Sequence, residues 1–166
     1  MKTSIIYASC TGTTQGIAEE IRKQCGGDLI EVKSRDLLSR FVAFMGRHSP
    51  GMNVRDSGIA PEKIDLAGSD LVVIGTPVWG GQPVPAIKKA VAGFHGCEGK
   101  PVIIFATCGE KPGQTLPVLA QALSAKGMKV VGQFSFNKIE IRDPAAVHAL
   151  VANVQEMADM KAQQGE

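Results

Sequence analysis

The feature that most constrains this chain is an alternation of short β-branched runs with longer segments of helical period. The predicted strands are Ser4–Ala8, Leu29–Val32, Leu71–Ile74, Val102–Ala106 and Val130–Phe136. The predicted helices are Thr13–Cys25, Pro85–Phe94, Leu116–Ala125 and a last one that opens with Asp143 as N-cap and Pro144 in its first turn. This alternation predicts an α/β fold, with a parallel sheet covered by helices on both faces. The length of 166 residues suits one domain, residues 1–166.

The character of the strands predicts their order. Leu71–Ile74 and Val102–Ala106 are continuously apolar, as expected of central strands with both faces covered. Glu31 interrupts the second run, and Phe134 and Phe136 alternate with polar neighbours, so both of those strands should lie at edges. A five-stranded parallel sheet of order 2-1-3-4-5 fits this pattern, and its ligand crevice lies at the carboxyl ends of strands one, three and four.

One stretch, Ser34–Ala67, breaks the alternation. Within it, Leu37–Met45 has the composition of a short helix. Gly46–Ala60 contains turn-forming residues at high density and is interpreted as a long loop. Loops of this length in a small domain are usually functional or mobile.

Composition and charge exclude several classes of protein. The net charge is +2, and no basic run suggests a nucleic-acid interface or a membrane-binding helix. The apolar runs are too short to span a bilayer. The four cysteines form no Cys-x-x-Cys pair and have no histidine at metal-ligand spacing, so reduced thiols and no metal site are expected. The start of the chain lacks a signal-peptide pattern, which predicts a cytoplasmic protein.

A hydroxyl-rich turn follows the first predicted strand and runs directly into a helix. Ser9, Thr11, Thr13 and Thr14 supply four hydroxyl groups, and Gly12 allows the backbone to approach an anion closely. The helix N-terminus adds unpaired N–H groups and a partial positive charge. The turn contains neither Lys nor Arg, and it matches neither a Walker loop nor a dinucleotide fingerprint. We interpret it as a phosphate site served by dipoles; the alternative is a threonine-rich helix cap.

Two further glycine-bearing loops follow the third and fourth predicted strands, at the same edge of the sheet. The first contains the only tryptophan, Trp79, whose flat ring can stack on a conjugated ligand, followed by Gly80 and Gly81. The alternative for Trp79 is simple packing over the sheet edge. The other loop is Thr107–Gly109, whose backbone N–H groups suit the polar edge of a ring.

The three motifs together resemble those of flavodoxins. The run Tyr7–Thr14 is similar to the flavodoxin phosphate loop, Gly75–Trp79 to the loop beside the flavin in short flavodoxin-family proteins, and the run ending at Gly109 to the loop on the other side of the ring. The resemblance covers nearly the whole chain and implies a flavodoxin-like three-layer doubly wound fold with FMN as cofactor. The residues it places at FMN are Ser9, Cys10, Thr11, Gly12, Thr13, Thr14, Thr76, Pro77, Val78, Trp79, Gly80, Gly81, Thr107, Cys108 and Gly109.

The resemblance implies two alternative functions. One is an electron carrier that shuttles electrons through FMN between redox partner proteins. The other is an FMN-dependent NAD(P)H:quinone or small-acceptor reductase, which needs an open flavin face. The chain is slightly basic and its third loop has no aromatic residue, unlike strongly acidic carriers that enclose the ring between two aromatics. A flavodoxin-fold module without FMN is a third alternative, which the intact hydroxyl loop disfavours. A monomer or weak dimer without nucleic-acid partners or thiol catalysis is expected.

Overall fold

The structure is a computed structural model that describes residues 1–34 and 58–164. Its helices in these ranges are α1 (Thr13–Cys25), α2 (Pro85–Ala92), α3 (Thr115–Ala125) and α4 (Pro144–Gln164), with a 3-10 turn at Glu140–Arg142. The strands are β1 (Thr3–Tyr7), β2 (Asp28–Glu31), β3 (Lys33–Ser34), β4 (Ile59–Ala60), β5 (Ile64–Asp65), β6 (Leu71–Trp79), β7 (Gln82–Pro83), β8 (Phe94–His95), β9 (Pro101–Thr107) and β10 (Lys129–Phe136).

Five of these strands form a parallel sheet of order β2-β1-β6-β9-β10. They correspond to the five predicted strands, so the predicted order 2-1-3-4-5 is confirmed. The register places Ile6 beside Ile74, and Ile74 beside Ile104. Because the strands run parallel and in register, β1, β6 and β9 reach the same edge of the sheet with their carboxyl ends. As predicted, β2 and β10 are the edge strands.

The helices cover the two faces of this sheet and bury a core on each. On one face α2 and α3 contribute Ile87, Leu119 and Leu123 to a cluster with alternate residues of the central strands. On the other face α1 and α4 bury the side chains Ile17, Ile21, Leu150 and Val154. The helical period seen in the sequence is therefore the pattern of burial. No helix within the two described ranges has the length and apolar character needed to cross a membrane.

The helix N-termini also follow the sequence signals. The carboxylate of Asp143 accepts a hydrogen bond from the Ala145 N–H at 2.9 Å, directly before Pro144 opens α4. The predicted end of α2 at Phe94 was wrong by two residues. Gly93 is the C-cap residue, where a Cβ would lie 2.3 Å from the carbonyl oxygen of Glu62, and Phe94–His95 then pairs with β5.

The stretch between the second and third strands of the sheet differs from the prediction in part. Ile59 and Ala60 form β4, which pairs antiparallel with β3, so the predicted loop Gly46–Ala60 was wrong at its last two residues. More than twenty residues separate β3 from β4 along the chain, so no local periodicity in the sequence predicts that these two strands pair. The predicted helix Leu37–Met45 lies outside the described residues.

Candidate functional site

The carboxyl ends of β1, β6 and β9 open into one pocket of about 240 Å³. The three segments singled out in the sequence therefore meet at one place, although up to a hundred residues separate them along the chain. The residues that line the pocket are Cys10, Thr11, Thr13, Thr14, Pro77, Val78, Trp79, Thr107, Cys108, Gly109, Lys138 and Ile141.

The turn between β1 and α1 has the geometry of an anion cradle. Gly12 adopts a left-handed conformation with φ 88°, and no atom lies within 4 Å of where its Cβ would be. Ser9 Oγ accepts hydrogen bonds from the N–H groups of Gly12 at 3.1 Å and Gln15 at 3.4 Å, which fix the turn. Within the described residues, the structure shows no hydrogen-bond partner for the N–H groups of Thr13 and Thr14. Helix N-termini with free N–H groups bind phosphates.

Two hydroxyl groups extend this cradle at its mouth. Thr11 Oγ1 and Thr13 Oγ1 lie 3.2 Å apart, and both residues line the pocket. Each hydroxyl can reorient to donate to an anion at little cost because Thr11 is exposed and Thr13 only half-buried. Ser9 and Gly12 do not line this pocket, but Gly12 lines an adjoining cavity of about 510 Å³ together with Thr11 and Thr13.

Thr14 has a different role from its neighbours. Its side chain is 1% exposed, and its Oγ1 lies 2.8 Å from Thr107 Oγ1 in a buried hydrogen bond. This bond joins the first turn of α1 to the end of β9 across a sequence separation of 93 residues. The Thr14 hydroxyl therefore sets the spacing between the anion cradle and the Thr107–Gly109 loop.

Trp79 belongs to a hairpin, which corrects the prediction that it stands in a loop. β6 continues to Trp79, and β7 folds back on it so that Trp79 pairs with Gln82. Gly80 and Gly81 form the two-residue turn with φ 57° and 72°, the backbone of a type I′ hairpin. The indole is half-buried, packs against the core and lines the pocket.

The tip of this hairpin is held by the segment that precedes α3. The Gly81 carbonyl accepts a hydrogen bond from the Gln114 N–H at 2.8 Å. A Cβ on Gly113 would lie 2.6 Å from Gly81 Cα, so the two backbones are in close contact. Gly80 and Gly81 thus shape the hairpin that carries Trp79, but neither lines the pocket.

Thr76 also lies outside the pocket lining. It is fully buried, and its hydroxyl donates to the Pro77 carbonyl at 2.9 Å while accepting from the Val84 N–H at 3.2 Å. Both bonds close the base of the hairpin. Of the fifteen residues predicted at FMN, Ser9, Gly12, Thr76, Gly80 and Gly81 are the five that do not line the pocket.

Sequence reasoning missed two lining residues, Lys138 and Ile141. Both follow β10, whose carboxyl end reaches the same edge of the sheet. The side chain of Asn137 holds this segment by accepting hydrogen bonds from the N–H groups of Ile139 at 2.8 Å and Glu140 at 3.0 Å. The predicted strand order was sufficient to bring this loop to the site, because strand five neighbours strand four.

The two thiols in the pocket are in surroundings that favour their neutral form. Burial raises the pKa of Cys10, and burial followed by the nearby charge of Glu140 raises that of Cys108. The Cys108 thiol donates to the Phe136 carbonyl at 3.7 Å. A raised thiol pKa leaves little thiolate at neutral pH, and the thiolate is the nucleophilic form.

Comparison with known proteins gives the family. Residues 1–140 match the family described as NADPH-dependent FMN reductase, a range that begins before β1 and includes all of β10. The chain belongs to this family. No curated protein matches the chain. FMN, predicted as the cofactor, is confirmed by this family.

Solved structures similar to this FMN reductase family member confirm the flavodoxin-like fold. A flavoprotein from Lactobacillus acidophilus in complex with FMN is 23% identical, with TM-score 0.57 over 81% of this chain and 92% of its own. A WrbA-like flavodoxin from Agrobacterium tumefaciens is 16% identical, with TM-score 0.67 over 98% of both chains. The two-electron reduced flavodoxin of Megasphaera elsdenii is 22% identical, with TM-score 0.61 over 93% of this chain and 98% of its own.

The residues of the pocket fit FMN chemically. The free N–H groups of Thr13 and Thr14 and the hydroxyls of Thr11 and Thr13 can receive a phosphate monoester. The rest of the lining includes an indole and the small residues Thr107, Cys108 and Gly109, which suits a flat heteroaromatic ring with polar edges.

Proposed function

We propose that this protein is an FMN-dependent NAD(P)H oxidoreductase that reduces a quinone or another small acceptor. The observation that carries the proposal is the match of residues 1–140 to a family of NADPH-dependent FMN reductases. That range contains all three loops that meet at the pocket. The electron-carrier alternative has less support, because the flavodoxins similar to this chain are 22% identical or less and indicate only the fold.

In this proposal each wall of the pocket has its own task. The turn before α1 binds the FMN phosphate through the N–H groups of Thr13 and Thr14 and the hydroxyls of Thr11 and Thr13. Trp79, with Pro77 and Val78, contacts the isoalloxazine from the hairpin. Thr107–Gly109 contacts the pyrimidine side with backbone groups. The five predicted residues that do not line the pocket, which are Ser9, Gly12, Thr76, Gly80 and Gly81, position these groups.

Access to the ring supports a reductase over a carrier. Trp79 is the only aromatic residue among the described residues that line the pocket, and the end of β9 with the loop after it contributes only the small residues Thr107, Cys108 and Gly109. Small residues leave room for a second planar molecule to approach the ring. FMN held by these residues would supply the hydride and electron transfer between NAD(P)H and the acceptor. The protein's part is to hold the ring, orient it and leave that approach open.

Anaerobic kinetics separate the two functions. The protein loaded with FMN is mixed with NADPH or NADH, and the loss of the oxidised flavin absorbance is followed by stopped flow. Turnover is then measured with a quinone, with ferricyanide and with free FMN as acceptors. The proposal expects rapid flavin reduction and FMN-dependent turnover. A protein that binds FMN but whose flavin neither nicotinamide reduces would overturn the reductase proposal and favour the carrier.

Trp79→Phe is an informative variant for this assay, because Phe keeps an aromatic wall of smaller area. It should still bind FMN, and its flavin should still be reduced by NAD(P)H, at a changed rate.

Localisation in the cytoplasm and a monomeric or weakly dimeric state stay predictions. Cell fractionation tests the localisation, and sedimentation velocity tests the oligomeric state.

A further inference from the structure

Lys138 is the one positively charged residue among the described residues that line the pocket. The turn before α1 has no Lys or Arg of its own. Lys138 follows β10, and its N–H lies 3.5 Å from the carbonyl of Gly109. A Cβ on Gly109 would be 3.8 Å from Lys138 Cε, so the lysine side chain lies over the backbone of the third loop.

We propose that the Lys138 ammonium lies beside the pyrimidine edge of FMN and stabilises the negative charge that reduction places there. The side chain lies over Gly109, in the wall proposed to contact the pyrimidine, while the phosphate cradle is formed by the turn before α1. The lysine backbone is fixed by the Asn137 turn, so the ammonium is tethered at the pocket even though the side chain is exposed.

The position of Lys138 matters because reduction changes the charge of the flavin. A hydride brings two electrons and one proton to the flavin. The neutral oxidised ring therefore becomes an anion, with its charge at N1 and the neighbouring carbonyl, unless a further proton arrives from solvent. A cation at that edge stabilises the reduced cofactor more than the oxidised one, so it raises the reduction potential of the bound flavin.

Two other charged residues near Lys138 bear on the choice of a control variant. Glu140 is on the same loop, and its carboxylate accepts a hydrogen bond from the Asn137 N–H at 2.9 Å. It does not line the pocket. Lys111 lies two residues after Gly109, is exposed and also does not line the pocket, so it is the matched control.

The magnitude follows from Coulomb's law. Two unit charges about 4 Å apart in water-like surroundings change an equilibrium about fivefold, and salt reduces the effect because Lys138 is exposed. We expect Lys138→Gln to weaken binding of reduced FMN about fivefold more than binding of oxidised FMN. For a two-electron couple this lowers the potential by about 20 mV.

The test measures the FMN dissociation constant of the oxidised protein and the midpoint potential of the bound flavin, for wild type, Lys138→Gln, Lys138→Arg and Lys111→Gln. Expected are a lower potential in Lys138→Gln, a wild-type value in Lys138→Arg and no change in Lys111→Gln. The pKa of N1 in the reduced flavin should also rise in Lys138→Gln. Equal weakening of both redox forms would place the ammonium at the phosphate and overturn the proposal, as would an unchanged potential.

The proposal rests on the FMN site of the proposed function but not on the physiological reductant. The potential is measured with dithionite and a reference dye, so it is independent of NAD(P)H. A protein that fails to oxidise NAD(P)H and still shows the Lys138 shift would refute the proposed function alone.

Discussion

The buried hydroxyl pair of Thr14 and Thr107 allows a quantitative test of how the site is held together. Their oxygens lie 2.8 Å apart, with Thr14 1% and Thr107 7% exposed. Thr14→Val replaces one hydroxyl by a methyl group of nearly the same size and leaves the Thr107 hydroxyl buried without this partner. A buried polar group that loses its partner costs about 1–3 kcal/mol. Thr107→Val should cost a similar amount for the same reason.

The double variant should not show the sum of these costs. With both hydroxyl groups replaced, no polar group remains buried without a partner, and such a pair replacement is close to neutral. The coupling energy between the two positions is then the sum of the two single costs, about 2–6 kcal/mol. Thr11→Val is the control, because its hydroxyl is exposed and its loss should change the stability by less than about 0.5 kcal/mol.

The assay is urea unfolding of the FMN-free protein, followed by circular dichroism, with thermal unfolding as a second readout. For a chain of this size each kcal/mol corresponds to about 2–4 °C in Tm. Equal denaturant slopes across the four proteins would show that the same transition is compared. If the destabilisations of the two single variants simply add in the double variant, the hydroxyls do not depend on each other and the argument is wrong.

Three further predictions test other parts of the structure. Replacing both Thr11 and Thr13 by Ala should weaken FMN binding about a hundredfold or more, since each hydroxyl bond to a charged phosphate is worth about 1.5–3 kcal/mol. A fluorescence titration measures this affinity, and a loss below fivefold would place the phosphate elsewhere. Gly75→Ala should destabilise the fold by about 1–3 kcal/mol in urea unfolding, because the added Cβ would overlap the ring of Phe105. Gly16→Ala, in open space on α1, should instead stabilise the fold by about 0.5–1 kcal/mol. Equal effects of the two substitutions would contradict this packing. A hydrogen bond from Lys161, with a second from the Lys2 N–H, holds the pKa of Asp70 below its ordinary value. The wild type should therefore be more stable than Asp70→Asn near neutral pH and should lose this advantage as the pH falls through the lowered pKa. An advantage that persists at still lower pH would refute the prediction.

The part of the fold that the sequence predicted is the part with a regular hydrophobic period. Leu71–Ile74 and Val102–Ala106 were recognisable as central strands because both faces of the sheet are covered and every side chain is apolar. Their extensions past the core had no such signal. Val78 and Trp79 extend β6 because the Gly80-Gly81 turn brings β7 alongside, and a two-residue partner strand is too short to be recognised from a sequence pattern.

The site was predictable at the level of loops and less so at the level of side chains. Parallel strands with known order bring their carboxyl ends together, which was enough to collect the turn before α1, the Trp79 hairpin and Thr107–Gly109. The Thr14–Thr107 bond and the position of Lys138 over Gly109 are contacts between distant segments. No periodicity or local motif encodes such contacts, so they had to come from the three-dimensional structure.

Whether the pocket at the carboxyl ends of β1, β6 and β9 binds FMN against Trp79 is tested most directly by a fluorescence titration. Trp79 is the only tryptophan, so its emission reports on this pocket alone. The FMN-free protein is titrated with FMN, with riboflavin as the ligand that lacks the phosphate. Saturable quenching of Trp79 emission by FMN and much weaker binding of riboflavin are expected. Unchanged Trp79 emission while FMN binds, or equal affinity for both ligands, would contradict it.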